Sequence, residues 1–317
     1  MSGYVARRLL QMLPLLLGIS VVLFALIHAA PGGPEAGLLS SGRFIDPQVV
    51  EAYRRRLGVD LPVHVQYLRW LGALLRGDLG LSFSTTRPVT AMIVERLPAT
   101  LGLMGASFVL AFLVALPLGV WSALRQHQTL DLVATGLSFL GIAMPVFWFG
   151  LLLQMLFAVK LGWLPVSGTH TVAADSPSDR LAHLVLPAVV LSLRNVAGWS
   201  RYLRASLLEA LSADYVRTAR AKGLPETRVI GLHALRNALL PVVSVMALGL
   251  GDLFSGAVVT ETVFAWPGIG RLFVQAMFAR DYPLLMGILL MGSLMVVVFN
   301  LAADVLYGVL DPRVRYD

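Results

Sequence analysis

Long stretches without a charged residue recur along the chain. A transmembrane helix needs about 20 largely apolar residues to cross roughly 30 Å of hydrocarbon. Uncharged runs predict such helices at 9–30, 97–124 and 132–159, and a fourth run opens a predicted helix at 282–310. The apolar stretch at 237–260 is interrupted only by Asp252. The pattern therefore predicts five transmembrane helices.

A sixth apolar segment is shorter and is followed by arginines. Residues 184–193 are apolar, and Arg194, Arg201 and Arg204 come after them at short intervals. Arginines at these positions fit a helix that faces protein or a water-filled cavity and ends at the membrane surface, where long cationic side chains can reach water. We therefore predict a helix at 184–206 and an all-α integral membrane protein with six spans in one domain, 1–317.

Composition agrees with a membrane protein. The chain has 57% hydrophobic and 14% charged residues, whereas soluble domains carry about 25% charged residues. The net charge of +7 needs no nucleic-acid partner, because a lipid-embedded protein concentrates Lys and Arg in its cytoplasmic loops. There is no cysteine, which excludes disulfides, zinc–thiolate sites and a cysteine nucleophile.

The distribution of Lys and Arg predicts the orientation. The richest short segments are the amino terminus, the loop 207–236 and the carboxyl terminus, so both termini and this loop are expected to be cytoplasmic. The segment 31–96 also contains arginines, but long loops cross the membrane largely regardless of charge. We place it outside.

The cytoplasmic loop 207–236 has a local pattern of its own. Residues 214–222 read as a basic helix, and Gly223 suits the left-handed residue that ends a helix. Pro225 favours the first turn of a second helix. One interpretation is a basic amphipathic helix that lies on anionic lipid; the other is a docking element for a protein.

The same loop resembles a known family. Arg217-Thr218-Ala219, three further residues and Gly223 are similar to the Glu-Ala-Ala-three-residue-Gly signature of binding-protein-dependent ABC importer permeases. Arg217 and Thr218 depart from the signature of sugar importers and resemble the dipeptide/oligopeptide/nickel branch. Further segments resemble that branch in the same order: 77–82, 96–100, 162–165, 233–237, 264–271 and 280–283.

The resemblance implies a type I importer permease of the prokaryotic cytoplasmic (inner) membrane. It implies a homologous second permease subunit, two ATPase subunits or domains that hold ATP and Mg, and an extracytoplasmic substrate-binding protein. This chain itself would bind no cofactor, and it contains no Gly-x-x-x-x-Gly-Lys-Ser/Thr phosphate loop. The residues implied to couple it to the ATPase are Arg217, Thr218, Ala219, Ala221, Lys222, Gly223, Leu224 and Pro225.

The cargo implied by the resemblance is di- or oligopeptide, and a nickel chelate is the alternative. Asp252 is a candidate for the translocation path, because an intramembrane carboxylate is costly. The structural alternative is pairing with Arg194 or exposure at a helix kink. Arg194 has the same two interpretations, a path residue or a structural partner. No two histidines are spaced for a helical metal pair, so we expect no fixed metal site.

Two other classes remain as rivals. A membrane protease lacks support, because His-Glu-x-x-His and Gly-x-Ser-x-Gly are both absent. A secondary transporter would need no ATPase, and it would leave the helix–glycine–helix loop without a purpose.

Overall fold

Helices form most of the protein in the computed structural model, which describes residues 2–29, 61–171 and 176–310, apart from some side chains within the helices. The helices are α1 (Ser2–Ala29), α2 (Val63–Leu74), α3 (Val89–Leu124), α4 (Thr129–Ala143), α5 (Val146–Leu153), α6 (Pro177–Ser212), α7 (Asp214–Ala221), α8 (Glu226–Arg228), α9 (Leu235–Val263), α10 (Ile269–Phe278) and α11 (Tyr282–Leu310). A π-helical turn follows α5 at Gln154–Lys160, and another joins α8 to α9 at Val229–Ala234.

The number of helices able to cross a membrane is four or five within the described residues. Four are long and apolar enough, and a bent pair formed by Asp131–Ala143 and Val146–Lys160 makes a fifth if it is one span. The apolar part of α1 that can be assessed, Leu10–Leu26, is shorter. The all-helical prediction is confirmed, but the count of six is not.

The predicted helix at 132–159 is interrupted. The chain bends by 110° between the two halves of this segment, where Met144 and Pro145 are both extended, with ψ of 127° and 129°. Proline disfavours helical geometry in the residue before it and has no N–H to donate. The predicted span 132–159 includes Pro145, and the helix is broken at this proline.

The chain divides into two units, the larger of which comprises Met1–Val5, Leu101–Trp266 and Val296–Asp317. Its core contains small residues of α3 packed against α6, among them Ala111 and Ala115. A Cβ on Gly119 would lie 2.8 Å from the Ser200 carbonyl oxygen and 2.9 Å from the Leu203 Cβ. Small residues of this kind allow helix backbones to approach closely.

α6 is the longest described helix of this unit that lies wholly within it. It begins with Ser176 as N-cap, whose hydroxyl accepts from the Asp179 N–H, and Pro177 follows in the first turn. Its 36 residues extend for about 54 Å, which exceeds the hydrocarbon thickness. The helix therefore continues past the predicted span 184–206 and into the predicted loop, as far as Ser212.

The second unit comprises Ala6–Thr100 and Pro267–Met295. In it α2 packs beside α1, where the Tyr67 hydroxyl lies 2.9 Å from Ser20 Oγ and the Phe24 and Trp70 rings are 5.7 Å apart. A Cβ on Gly287 would lie 2.6 Å from Val89 Cγ1, so α11 and the start of α3 are also in close contact. α2 lies in the predicted external segment; residues 31–60 of that segment are outside the described residues.

Candidate functional site

The predicted coupling loop folds as two short helices joined by a glycine turn, and we call residues 214–229 the basic elbow. α7 ends at Ala221, and Gly223 has φ of +74°. The Leu224 N–H donates to the Ala219 carbonyl at 3.4 Å, and the Gly223 N–H donates to the Arg220 carbonyl at 2.9 Å. This pair of bonds is the Schellman motif. The predicted glycine cap is confirmed.

The inner face of the basic elbow is apolar and buried. Val216 and Val229 are completely buried and Ala219 is 5% exposed. They belong to one cluster with Leu203 and Leu207 of α6, against which Leu224 also packs. The elbow is therefore attached to the end of α6 by side-chain packing.

The outer face of the basic elbow is polar and exposed. Of the eight predicted coupling residues, Ala219 is buried and Leu224 is half-buried. The other six are exposed: Arg217, Thr218, Ala221, Lys222, Gly223 and Pro225. The loop thus separates residues that attach it from residues that a partner could contact.

An ion pair crosses the glycine turn. The Arg220 guanidinium donates to both carboxylate oxygens of Glu226, at 2.6 and 3.2 Å, and this hydrogen bonding raises the pKa of Arg220 above its usual value. Arg217 lies 3.4 Å from Asp214 within α7. Exposed pairs of this kind contribute little to folding, so they are not what attaches the elbow to α6.

The two candidates for the translocation path are not brought together by any described contact. Arg194 lies on α6 with an exposed side chain. Asp252 lies within α9, but its side chain is outside the described residues. Their proposed roles stay predictions.

A buried carboxylate at the start of α4 was not predicted from the sequence. Asp131 is 3% exposed and accepts from Arg204 of α6, with Nε–Oδ1 at 2.7 Å and Nη2–Oδ2 at 2.8 Å. The Ser122 hydroxyl and the His127 N–H complete the set of donors. Arginine at 204 was interpreted as facing protein or a cavity, and the only sequence signal for its partner was an aspartate just before an apolar run.

A second buried carboxylate was also missed. Asp281, which precedes α11, is fully buried. It accepts from the Ser82 hydroxyl at 2.6 Å and from the Ser84 hydroxyl at 2.8 Å. The N–H groups of Phe83, Ser84 and Leu284 also donate to it. We call residues 81–88 the serine turn.

Another buried polar side chain, which was not predicted from the sequence, holds the π-helical turn after α5. Gln154 is 8% exposed, and its amide donates to the carbonyls of Val166 at 2.9 Å and Val263 at 3.2 Å. The Gly168 N–H donates to the Phe264 carbonyl at 2.9 Å. These bonds attach the segment after the π-helical turn to the end of α9.

Comparison with known proteins gives matches along the whole chain. The family of binding-protein-dependent transport system inner membrane components matches residues 115–316, and the family of their N-terminal regions matches residues 1–104. The chain is 44% identical over 322 residues to the oligopeptide transport system permease protein AppB of Bacillus subtilis (strain 168), with all of both chains covered. It is 41% identical over 335 residues to the di/tripeptide transport system permease protein DppB of Pseudomonas aeruginosa (strain UCBPP-PA14), covering 100% of this chain and 99% of that one.

Solved structures share the fold. An inward-facing structure of the MetNI methionine ABC transporter matches with a TM-score of 0.57 and 18% identity, covering 69% of this chain and 96% of that one. An amino acid ABC transporter crystallised with histidines matches with a TM-score of 0.53 and 15% identity, covering 69% and 94%. At this identity the likeness concerns the fold alone.

Proposed function

We propose that this chain, which belongs to the family of binding-protein-dependent transport system inner membrane components, forms the translocation path for di- and oligopeptides in an ATP-driven importer. The observation that carries the proposal is the two-sided basic elbow. Its buried face is packed on α6, and its cationic face is exposed. Such an element can receive force from a partner without unfolding.

The proposed partners follow from the family. Two ATPase subunits or domains would bind the exposed residues of the elbow, with ATP and Mg held on those subunits. A homologous second permease would complete the path, and an extracytoplasmic binding protein would deliver the cargo. ATP-driven closure of the ATPases would then move the helices between inward and outward access.

The proposed arrangement has six spans, with both termini and the basic elbow in the cytoplasm of a prokaryotic cell. Support comes from the apolar helices and from the excess of Lys and Arg in the elbow. In this arrangement the bent pair α4–α5 counts as one span and α1 as another. The serine turn would then lie outside, in the segment that receives the binding protein.

Peptide cargo is favoured by the transport systems to which the relatives belong. They include oligopeptide, di/tripeptide and glutathione transport systems, and glutathione is itself a modified tripeptide. A nickel chelate is the alternative cargo. It would be favoured if Asp252 lines the path, because a carboxylate there would attract a cationic complex. A secondary transporter that needs no ATPase is the alternative mechanism.

The test is reconstitution of the chain with its proposed partners. The protein is purified with the products of neighbouring genes, placed in liposomes, and supplied with ATP and a radiolabelled dipeptide, tripeptide or nickel chelate. We expect an ATPase to copurify and peptide to accumulate only with ATP. Uptake without any ATPase would contradict the importer, and uptake of the nickel chelate alone would contradict the peptide cargo.

A further inference from the structure

The Asp131–Arg204 ion pair joins two helices close to the basic elbow. Asp131 lies in the first turn of α4, and Arg204 lies about two turns before the end of α6. The carboxylate is 3% exposed and the arginine side chain 25% exposed. A buried carboxylate is tolerated only when it is paired and hydrogen-bonded, and here two guanidinium N–H groups fix its orientation.

The same carboxylate also fixes the turn between α3 and α4. The Ser122 hydroxyl and the His127 N–H both donate to it. His127 has φ of +63°, a conformation that a residue other than glycine rarely adopts without support. One side chain therefore holds the end of α3, the turn and the start of α4 against α6.

α4 has few other buried attachments. Most of its large apolar residues are exposed, among them Leu132 at 65% and Leu137 at 62%. Besides the ion pair, Arg201 of α6 lies over the Phe139 ring at 4.5 Å, and a Cβ on Gly141 would be 3.3 Å from Leu193. Without the ion pair, the first turn of α4 would lose its strongest connection to α6.

The end of α6 is packed against the basic elbow, since Leu203 and Leu207 share an apolar cluster with Val216 and Val229. We infer that Asp131 and Arg204 are positioning residues that transmit movement of the basic elbow through α6 to α4 and so to the bend at Met144–Pro145. The inference rests on the proposed function, and it assigns to the ion pair a part in coupling that is separate from binding the ATPase.

Asp131→Asn and Arg204→Gln test this in the reconstituted complex. We expect each change to lower peptide uptake per ATP hydrolysed about tenfold or more, while the ATPase still copurifies and still hydrolyses ATP, because the elbow core is unchanged. Arg204→Lys, which keeps the charge without the bidentate geometry, is expected to give an intermediate ratio. Arg125→Gln is the control, since Arg125 is an exposed cation of the same turn that stacks on Trp121 and does not touch Asp131.

A distance measurement separates transmission from simple stability. The chain has no cysteine, so spin labels can be attached at Leu137→Cys on α4 and at Tyr215→Cys, an exposed position of α7 outside the predicted coupling residues, without other changes. In the folded complex, the double variant Asp131→Asn with Arg204→Gln leaves no unpaired buried charge. We expect a narrow distance distribution in the chain with the native ion pair and a broader one in this double variant.

Three outcomes would overturn the inference: an unchanged ratio of uptake to hydrolysis, an unchanged distance distribution in the double variant, or loss of the ATPase in proportion to the loss of uptake. The last outcome would mean that the pair only stabilises the fold. Failure of the proposed function is distinct, because the chain with the native ion pair would then bind no ATPase or import no peptide.

Discussion

The basic elbow and the serine turn are both surface turns, but they are attached in opposite ways. The elbow is held by apolar side chains, Val216 and Val229, which are completely buried. The serine turn is held by one carboxylate, Asp281, which accepts from two hydroxyls and three N–H groups. Apolar packing spreads the attachment over many contacts, whereas the carboxylate concentrates it in one side chain.

This difference suits the proposed roles. A packed elbow can transmit force in several directions while its charged outer face remains free to bind a partner. The serine turn, with its hydrogen bonds directed at one group, is fixed in one geometry at the start of α11. We therefore expect that replacing one polar residue destabilises the serine turn, whereas the elbow is destabilised when a buried apolar side chain is made smaller.

The largest expected effect is that of Asp281→Ala. The substitution leaves buried hydroxyl and N–H donors without their acceptor, which we expect to lower the free energy of unfolding by about 3–5 kcal/mol. Thermal unfolding of the purified protein in detergent measures this. Asp78→Ala is the matched control, because Asp78 accepts an exposed hydrogen bond from the Gly80 N–H at 2.8 Å. Equal melting temperatures for the two variants would contradict the claim that Asp281 holds the serine turn.

Val216→Ala tests the packing of the elbow. Removing two buried methyl groups is expected to cost about 1–2 kcal/mol through lost burial and the cavity left behind. The same unfolding measurement applies, with Thr218→Ala on the exposed face as control. A melting temperature for Val216→Ala that matches the control would show that the inner face does not hold the elbow.

Gly223→Val tests the turn itself. At φ of +74° a β-branched side chain is strained, and we expect a loss of about 1–2 kcal/mol. No atom lies within 4 Å of a Cβ at this position, so backbone strain alone is responsible. Gly223→Asn is the control because asparagine tolerates the left-handed region; equal behaviour of the two variants would contradict the explanation.

Arg217→Glu combined with Lys222→Glu should have the smallest effect on folding. Both side chains are exposed, so we expect an unchanged melting temperature. Reversing two cations on the outer face should nevertheless release a copurifying ATPase, which a pull-down measures. Retention of the ATPase at the normal level would show that this face is not the contact.

The features that could be predicted from the sequence are those that depend on residues close together along the chain. The glycine cap of α7 could be predicted because its donors, its acceptors and Gly223 lie within six consecutive positions. The apolar runs gave the helical class for a similar reason. The break at Met144–Pro145 was predictable in principle, since proline favours an extended preceding residue, but kinked helices with proline are also common in membranes.

The buried carboxylates could not be predicted in this way. Asp131 and Arg204 are separated by 73 positions, and Ser82 and Asp281 by 199. Nothing in one sequence shows which of several arginines meets which aspartate. Only the packing of α4 on α6, and of the serine turn beside α11, brings these partners together.

The coupling role of the basic elbow requires it to lie on the opposite side of the membrane from the serine turn, and labelling of single cysteines measures this. Ala221→Cys on the elbow and Thr86→Cys on the serine turn are placed singly in the cysteine-free chain and exposed to an impermeant thiol reagent. In spheroplasts, we predict labelling at Thr86→Cys and none at Ala221→Cys; inside-out vesicles should give the reverse. Labelling of Ala221→Cys from outside intact spheroplasts would contradict the coupling role of the basic elbow.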